Sequence, residues 1–199
     1  MVTFNPFVIT NVPDGFSVQS QGFWQGDLQA DPAQRFQLAA GVVASDETLP
    51  MWGGVGIYEA TVASTTGQTG QGSTIGRAAD ISELAGFTTF QGSFSAPTTP
   101  QSTVPLQSNG GGFNFVRFGS LSRIVLACSS DVLALAGVKN PQKFSWDYTN
   151  QVLIPGDGTD EFDATLLEVN AGNSAVVVYN SGTGFATWNT TGNAALILI

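Results

Sequence analysis

The fold class is decided by the stretch Ala164-Thr-Leu-Leu-Glu-Val-Asn-Ala-Gly-Asn-Ser-Ala-Val-Val-Val-Tyr-Asn-Ser-Gly-Thr-Gly-Phe-Ala-Thr-Trp-Asn189. Its apolar and β-branched runs, residues 164–169, 175–179 and 185–189, have the composition of short strands. They are separated by Asn170-Ala-Gly-Asn and Asn180-Ser-Gly-Thr-Gly, and Asn and Gly are the residues that tight turns favour. The stretch therefore predicts short strands joined by turns, with a last strand at residues 194–199.

The same pattern extends back through the chain. Further strands are predicted at residues 54–63, 113–118, 123–127, 144–148 and 151–154. Short strands at regular spacing favour an antiparallel sandwich or barrel over a parallel sheet covered by helices. The sequence thus predicts an all-β fold, jelly-roll-like in its strand content.

Helical signals are short. Asp31 and Pro32 have the residue types of a helix N-cap and first helical position, which predicts a helix over residues 31–40. A single helical turn is predicted over residues 80–85, with Asp80 as its cap. Residues 64–76 and 93–112 are rich in Ser, Thr, Gln, Gly and Pro, and predict long exposed polar loops.

The length of 199 residues fits a single β-rich domain over residues 1–199, in which residues 1–50 could form an N-terminal arm. No run approaches the roughly 20 apolar residues of a membrane-spanning helix, and the first residues lack the charged start of a secretory signal. We therefore expect a soluble chain made in the cytoplasm and no membrane partner.

Composition excludes several kinds of catalytic site. The chain has no His and one Cys, Cys128, so His-based triads and Cys-His pairs are absent. Its six Lys and Arg against fifteen Asp and Glu, with a net charge of −9, disfavour nucleic acid as a partner. Cys128 lies in an apolar run and is expected to be a small buried side chain. We expect no enzyme activity and no cofactor.

The acidic segment Asp157-Gly-Thr-Asp-Glu-Phe-Asp163 is the one place where a metal site comes into question. Closely spaced carboxylates suit Ca²⁺, but the spacing departs from the EF-hand loop pattern. A solvated acidic turn is the favoured interpretation, a cation site remains the alternative, and we expect no metal.

The four tryptophans, Trp24, Trp52, Trp146 and Trp188, have two alternative interpretations. In β proteins, Trp side chains usually anchor the core or a subunit interface. The alternative is an aromatic platform for sugars, as in a carbohydrate-binding or hydrolytic β module.

Residues 25–59 carry the most specific pattern: Asp31-Pro-Ala, then Leu38-Ala-Ala-Gly-Val, then Leu49-Pro-Met-Trp-Gly-Gly54. This pattern resembles the cement, or decoration, proteins of tailed bacteriophage heads. The resemblance covers about 35 residues of the N-terminal third.

The resemblance implies a virion structural protein without catalytic residues, located on the outer capsid surface. Such a protein binds the major capsid protein and bridges neighbouring subunits, and it is expected to self-associate, for example as a trimer. A tail or head-fibre component is the alternative within structural proteins. Trp24, Met51 and Trp52 are the candidate interface residues, although for the apolar Met51–Trp52 pair the favoured role is to hold the N-terminal segment to the rest of the fold.

Overall fold

The computed structural model describes residues 22–29, 37–61, 73–90, 104–140 and 142–199. Almost all regular structure in these residues is β. The elements are β1 (Ala39–Val43), β2 (Gly56–Ala60), β3 (Ser73–Arg77), β4 (Gly86–Thr88), β5 (Gly112–Arg117), β6 (Arg123–Ala127), α1 (Ser130–Leu133), β7 (Gln142–Asp147), β8 (Val152–Pro155), β9 (Phe162–Asn180) and β10 (Phe185–Leu198).

The first five strands close into a small barrel in the order β1-β3-β2-β4-β5. Four of its strand pairs are antiparallel, whereas β1 and β3 run parallel. A parallel pair cannot be joined by a tight hairpin, and here β2 lies between the two strands in sequence. Closure pairs every barrel strand on both sides and leaves no free edge.

The remaining strands form a five-stranded antiparallel sheet in the order β6-β10-β9-β7-β8. The longest strand pair in this sheet is β9–β10. The last part of β10 pairs with β6, and the first part of β9 pairs with β7. The all-β prediction, with a barrel or sandwich, is therefore confirmed.

The predicted turn at residues 170–173 is wrong, because β9 continues through it. The pairing with β10 stays in place but shifts register on both sides of Gly192, and Gly172 takes a φ of +67°. Extra residues in a ladder are accommodated as bulges, which keep the two strands paired. The Asn and Gly residues therefore mark an irregular strand here and not a chain reversal.

The predicted helix over residues 31–40 is wrong at its end, because Ala39 and Ala40 begin β1 and pair with β5; residues 31–36 lie outside the described part. The predicted turn at residues 80–85 is confirmed, with the Asp80 carboxylate accepting hydrogen bonds from the Ser82 and Glu83 amides. Helix α1 was not predicted, since a single four-residue turn leaves no periodic pattern.

Both predicted polar loops are wrong at their C-terminal ends. Residues 73–77 form β3, whose Ile75 is fully buried in the barrel. Val104 and Leu106 are also buried, and Gln107 bridges to Met51. A single apolar residue in a polar run is a weak sequence signal for a strand. It is nevertheless enough to anchor β3, because the strands on both sides of β3 form hydrogen bonds with it. Residues 64–72 and 93–103 lie outside the described part.

The largest core cluster joins the barrel to the sheet. Leu84, Phe87 and Val116 from the barrel side meet side chains such as Phe144 and Ile197 from the sheet. A second cluster draws on the barrel strands and extends to the β9–β10 ribbon through Ala186, Val177 and Tyr179. Because the barrel and the five-stranded sheet bury the same clusters of side chains, each stabilises the other.

We expect Gly86→Ala to destabilise the protein, because a Cβ at this position would lie 1.9 Å from the Val116 carbonyl oxygen. β4 and β5 would have to separate, at a cost of up to about 3 kcal/mol in the free energy of unfolding. Urea denaturation measures the change. Gly112→Ala is the matched control, since nothing lies within 4 Å of its added Cβ; equal losses in both variants would contradict the close-approach explanation.

Candidate binding clefts

Trp24 lies on a short extended segment that adds to the edge of the β9–β10 ribbon. It forms a parallel bridge with Ala175, and the Gln25 amide donates to the Ala175 carbonyl at 2.9 Å. The indole ring contacts Trp188 at 5.1 Å and Phe90 at 6.3 Å between centroids. Its side chain remains 39% exposed, so one part of this aromatic cluster faces outward.

Met51 and Trp52 are buried within the chain. Met51 exchanges two backbone hydrogen bonds with Gln107, of 2.8 and 2.9 Å, and Trp52 lies 5.5 Å from the Tyr179 ring. Both side chains belong to the barrel cluster. Of the three candidate interface residues, only Trp24 is therefore exposed, and Met51 and Trp52 are held by intramolecular packing.

The two glycines after Trp52 allow backbones to approach closely. A Cβ on Gly53 would lie 2.7 Å from the Phe90 Cα, and Gly54 has a φ of +81°. The Thr88 hydroxyl closes this loop, since it donates to the Trp52 carbonyl and accepts from the Val55 amide. The motif at residues 49–54 thus fixes a tight connection between the N-terminal segment and the barrel.

The pKa of Asp27, on the same segment as Trp24, is raised by burial, with a backbone hydrogen bond at Leu28 partly opposing the shift. A carboxyl whose pKa is raised in the folded state costs stability as the pH rises from its usual value of 3.8 through the raised one. We expect Asp27→Asn to remove that cost, so it raises the melting temperature relative to wild type more at pH 7 than at pH 3. Thermal unfolding at the two pH values measures this difference, and a larger gain at pH 3 would contradict it.

A cleft that contains an arginine side chain lies between the barrel and the β9–β10 ribbon, with a volume of about 480 Å³. Its functional groups come from four separate parts of the chain: Leu49 and Trp52, Arg77, Asn150, and Val178 with Tyr179. We call it the Arg77 cleft. The guanidinium of Arg77 lies over the Trp52 ring, 4.6 Å from its centroid, and its Nη2 donates to the Pro50 carbonyl at 2.5 Å.

Two N–H donors of the Arg77 cleft have no acceptor in the described part of the chain. Arg77 Nε and Trp52 Nε1 are both buried without a hydrogen-bond partner there. A buried donor left without an acceptor costs about 1–3 kcal/mol. Burial also lowers the pKa of Arg77, partly offset by the nearby Glu47, but an arginine remains charged at neutral pH.

Two further clefts lie beside large exposed apolar side chains. The first, of about 530 Å³, lies beside Leu121, which is 61% exposed. The second, of about 430 Å³, lies between the segment after α1 and β9 and includes the exposed Val138 and Leu167. Exposed apolar side chains mark a protein-binding site when they form a contiguous patch.

The acidic segment at residues 157–163 is organised by its own hydrogen bonds. The Asp157 carboxylate accepts from the Thr159 amide, Glu161 accepts from the Gly158 amide, and Asp163 pairs with Lys143 at 2.8 Å. Among the described residues, no group of three Asp, Glu or Cys side chains has the arrangement of a metal site.

Cys128 is buried and free, as its apolar surroundings in the sequence predict. Burial raises the pKa of its thiol to about 12, so the thiolate that would react is scarce at neutral pH. This residue is part of the core between the barrel and the sheet.

Sequence reasoning missed the Arg77 cleft. Arg77 and Tyr179 are far apart in sequence and belong to different sheets, so no spacing rule connects them. An Arg in an otherwise uncharged strand is a compositional signal, but Arg117 and Arg123 share it with Arg77, so it does not indicate this cleft.

The one helix in the described ranges, α1, has four residues, and no helix there is long and apolar enough to cross a membrane. Comparison with protein-family models, with curated proteins and with solved structures finds no match to this chain.

Proposed function

We propose that this protein is a capsid cement, or decoration, protein that binds the outside of a bacteriophage head. The observation that carries the binding role is the set of large exposed apolar side chains that border three clefts. Leu49 lies at the Arg77 cleft, Leu121 lies at the cleft of about 530 Å³, and Val138 with Leu167 lies at the cleft of about 430 Å³. Apolar side chains grouped at concave surfaces are typical of a protein whose surface is covered by a partner.

The identity of the partner rests on the resemblance of residues 25–59 to phage decoration proteins. In this chain, the segment from Leu49 to Gly54 connects the N-terminal residues to the barrel, as a rigid attachment module requires. The low content of charged residues, 11% against a globular average of about 25%, also suits a surface that is covered on assembly.

The mechanism is stabilisation by binding. A protein that binds only the assembled shell lowers the free energy of that state and so raises the cost of opening it. Stable interfaces bury about 1,200–2,000 Å² in total, which several clefts on one small domain can provide together with the surface between them. No bond is made or broken in this role.

Sedimentation with undecorated capsids tests the proposal. We expect the protein to co-sediment at a fixed ratio to capsid subunits, and decorated capsids to resist heating better than undecorated ones. Leu121→Asp and Val138→Asp place a charge beside an exposed apolar side chain at each of the other two clefts and should weaken binding without unfolding the protein, since both positions are exposed. Absence of saturable binding by the wild-type protein would overturn the proposal.

A carbohydrate-binding module is the second candidate, and the exposed Trp24 favours it. Aromatic rings stack on the apolar faces of sugars, and the cluster of Trp24, Phe90 and Trp188 presents such a ring at the surface. Retention on immobilised polysaccharide that is lost in Trp24→Ala, together with no capsid binding, would favour this candidate over the first.

A further inference from the structure

The Arg77 cleft contains a cation that forms no salt bridge in the described part of the chain, although Glu47 is nearby. Among the described residues, Arg117 forms a salt bridge with Glu59 and Lys143 forms one with Asp163, but Arg77 forms none. The nearby Glu47 carboxylate instead accepts from two backbone amides, those of Leu49 at 3.0 Å and Arg77 at 2.9 Å. A partly buried guanidinium that is left unpaired is a binding group for an anion.

The groups around this cation are hydrogen-bond donors. Arg77 Nε and Trp52 Nε1 are both without acceptors in the described residues, and the guanidinium lies 4.6 Å from the centroid of the Trp52 ring. A carboxylate supplies acceptor oxygens and a negative charge together. The aromatic and aliphatic walls from Tyr179, Leu49 and Val177 suit the apolar part of a peptide and not a free phosphate.

We propose that the Arg77 cleft binds the carboxylate of an acidic side chain on the partner protein, while Leu49 and Tyr179 receive the apolar residue beside it. This inference rests on the proposed function, in which the partner is a capsid subunit. The net charge of −9 does not oppose such contact strongly, because salt screens exposed charges beyond about 10 Å at 0.1 M. The short-range pairing of the carboxylate with Arg77 therefore contributes more to the binding free energy than the net charge of the protein does.

Titration with two short peptides tests the cleft without capsids. The probes are acetyl-Leu-Glu-Leu-amide and its Gln counterpart, followed by ¹⁵N NMR on the Trp52 Nε1–H signal and the Val178 amide. We expect both signals to shift saturably with the Glu peptide and the Gln peptide to bind about tenfold more weakly, since a charge-assisted pair is lost. Equal shifts with both peptides, or none with either, would overturn the proposal.

Two variants locate the binding site. Arg77→Lys should weaken Glu-peptide binding about tenfold, because Lys does not reproduce the planar, stacked fork of Arg. Leu49→Asp should weaken it as well by placing a competing carboxylate at the rim, and the fold is expected to persist because Leu49 is 39% exposed. Val42→Asp is the matched control, since Val42 is 37% exposed and lines none of the three clefts, and it should leave peptide binding unchanged. Unchanged binding in Leu49→Asp would overturn the assignment even if Arg77→Lys failed to fold.

Sedimentation of the same variants separates this inference from the proposed function. If wild type and Leu49→Asp bind capsids equally well and the Glu peptide does not bind, the cleft proposal is wrong while the cement role stands. If the Glu peptide binds in an Arg77-dependent way but wild type does not bind capsids, the cement role is wrong and the carboxylate site stands.

Discussion

Phe87→Ala is expected to lower the free energy of unfolding by about 3–5 kcal/mol, because it removes a large side chain from the centre of the core. Phe87 is fully buried in β4, and its ring meets three aromatic rings: Trp146 at 4.8 Å, Phe118 at 5.7 Å and Phe162 at 6.1 Å between centroids. Trp146 belongs to the sheet and Phe87 to the barrel. Truncation of Phe87 leaves a cavity between the barrel and the sheet. It also removes the contacts between the Phe87 ring and its three aromatic neighbours.

Urea denaturation measures this loss. Leu121→Ala serves as the control, because Leu121 is 61% exposed and an exposed truncation usually changes stability by no more than about 0.5 kcal/mol. If Phe87→Ala cost as little as the control, the barrel and the sheet would not share a common core.

Gln151→Met is expected to cost about 2–4 kcal/mol, because it leaves two buried donors without an acceptor. Gln151 is 1% exposed, and its Oε1 accepts from the Gly56 amide at 3.0 Å and from Trp146 Nε1 at 3.2 Å. Its Nε2 donates to the Tyr148 carbonyl at 2.6 Å. One amide group thereby connects β2 of the barrel with β7 of the sheet. Met has nearly the same length, so the loss reports the hydrogen bonds and not a cavity.

Hydrogen exchange distinguishes this explanation from general destabilisation. The Gly56 amide should lose more protection in Gln151→Met than the barrel amides on the far side, such as Val42. Gln29→Met, at an exposed position, is the matched control and should change neither stability nor exchange. Uniform loss of protection across the barrel would argue against a local connecting role for Gln151.

Local patterns in the sequence predicted the parts of the fold that depend on local chemistry. The strand at residues 123–127 was predicted with the bounds that the structure has, because Arg123-Ile-Val-Leu-Ala127 is a compact β-branched run. The Asp80 turn follows from a side chain that accepts hydrogen bonds from amides two and three residues ahead. The long ribbon was predicted as separate strands, since Asn170 and Gly172 indicate turns whenever only neighbours along the chain are considered.

The candidate site was predicted only in part. The sequence and its resemblance singled out Trp24, Met51 and Trp52 as candidate interface residues, but they could not distinguish an exposed ring from a buried one. Burial depends on which distant strand covers the residue: Phe90 and Trp188 cover part of Trp24, whereas Tyr179 and Arg77 cover Trp52.

The sequence by itself determined that the chain is β-rich, acidic and without histidine chemistry, because alternation, turn residues and composition are local or additive properties. Only the tertiary structure decided that β1 and β3 run parallel, that a barrel closes, and that Arg77 lies against Trp52 and Tyr179. Strand pairing joins residues far apart in sequence, and the free energy of each pair depends on the surface that both strands bury together. No window of neighbouring residues contains that information.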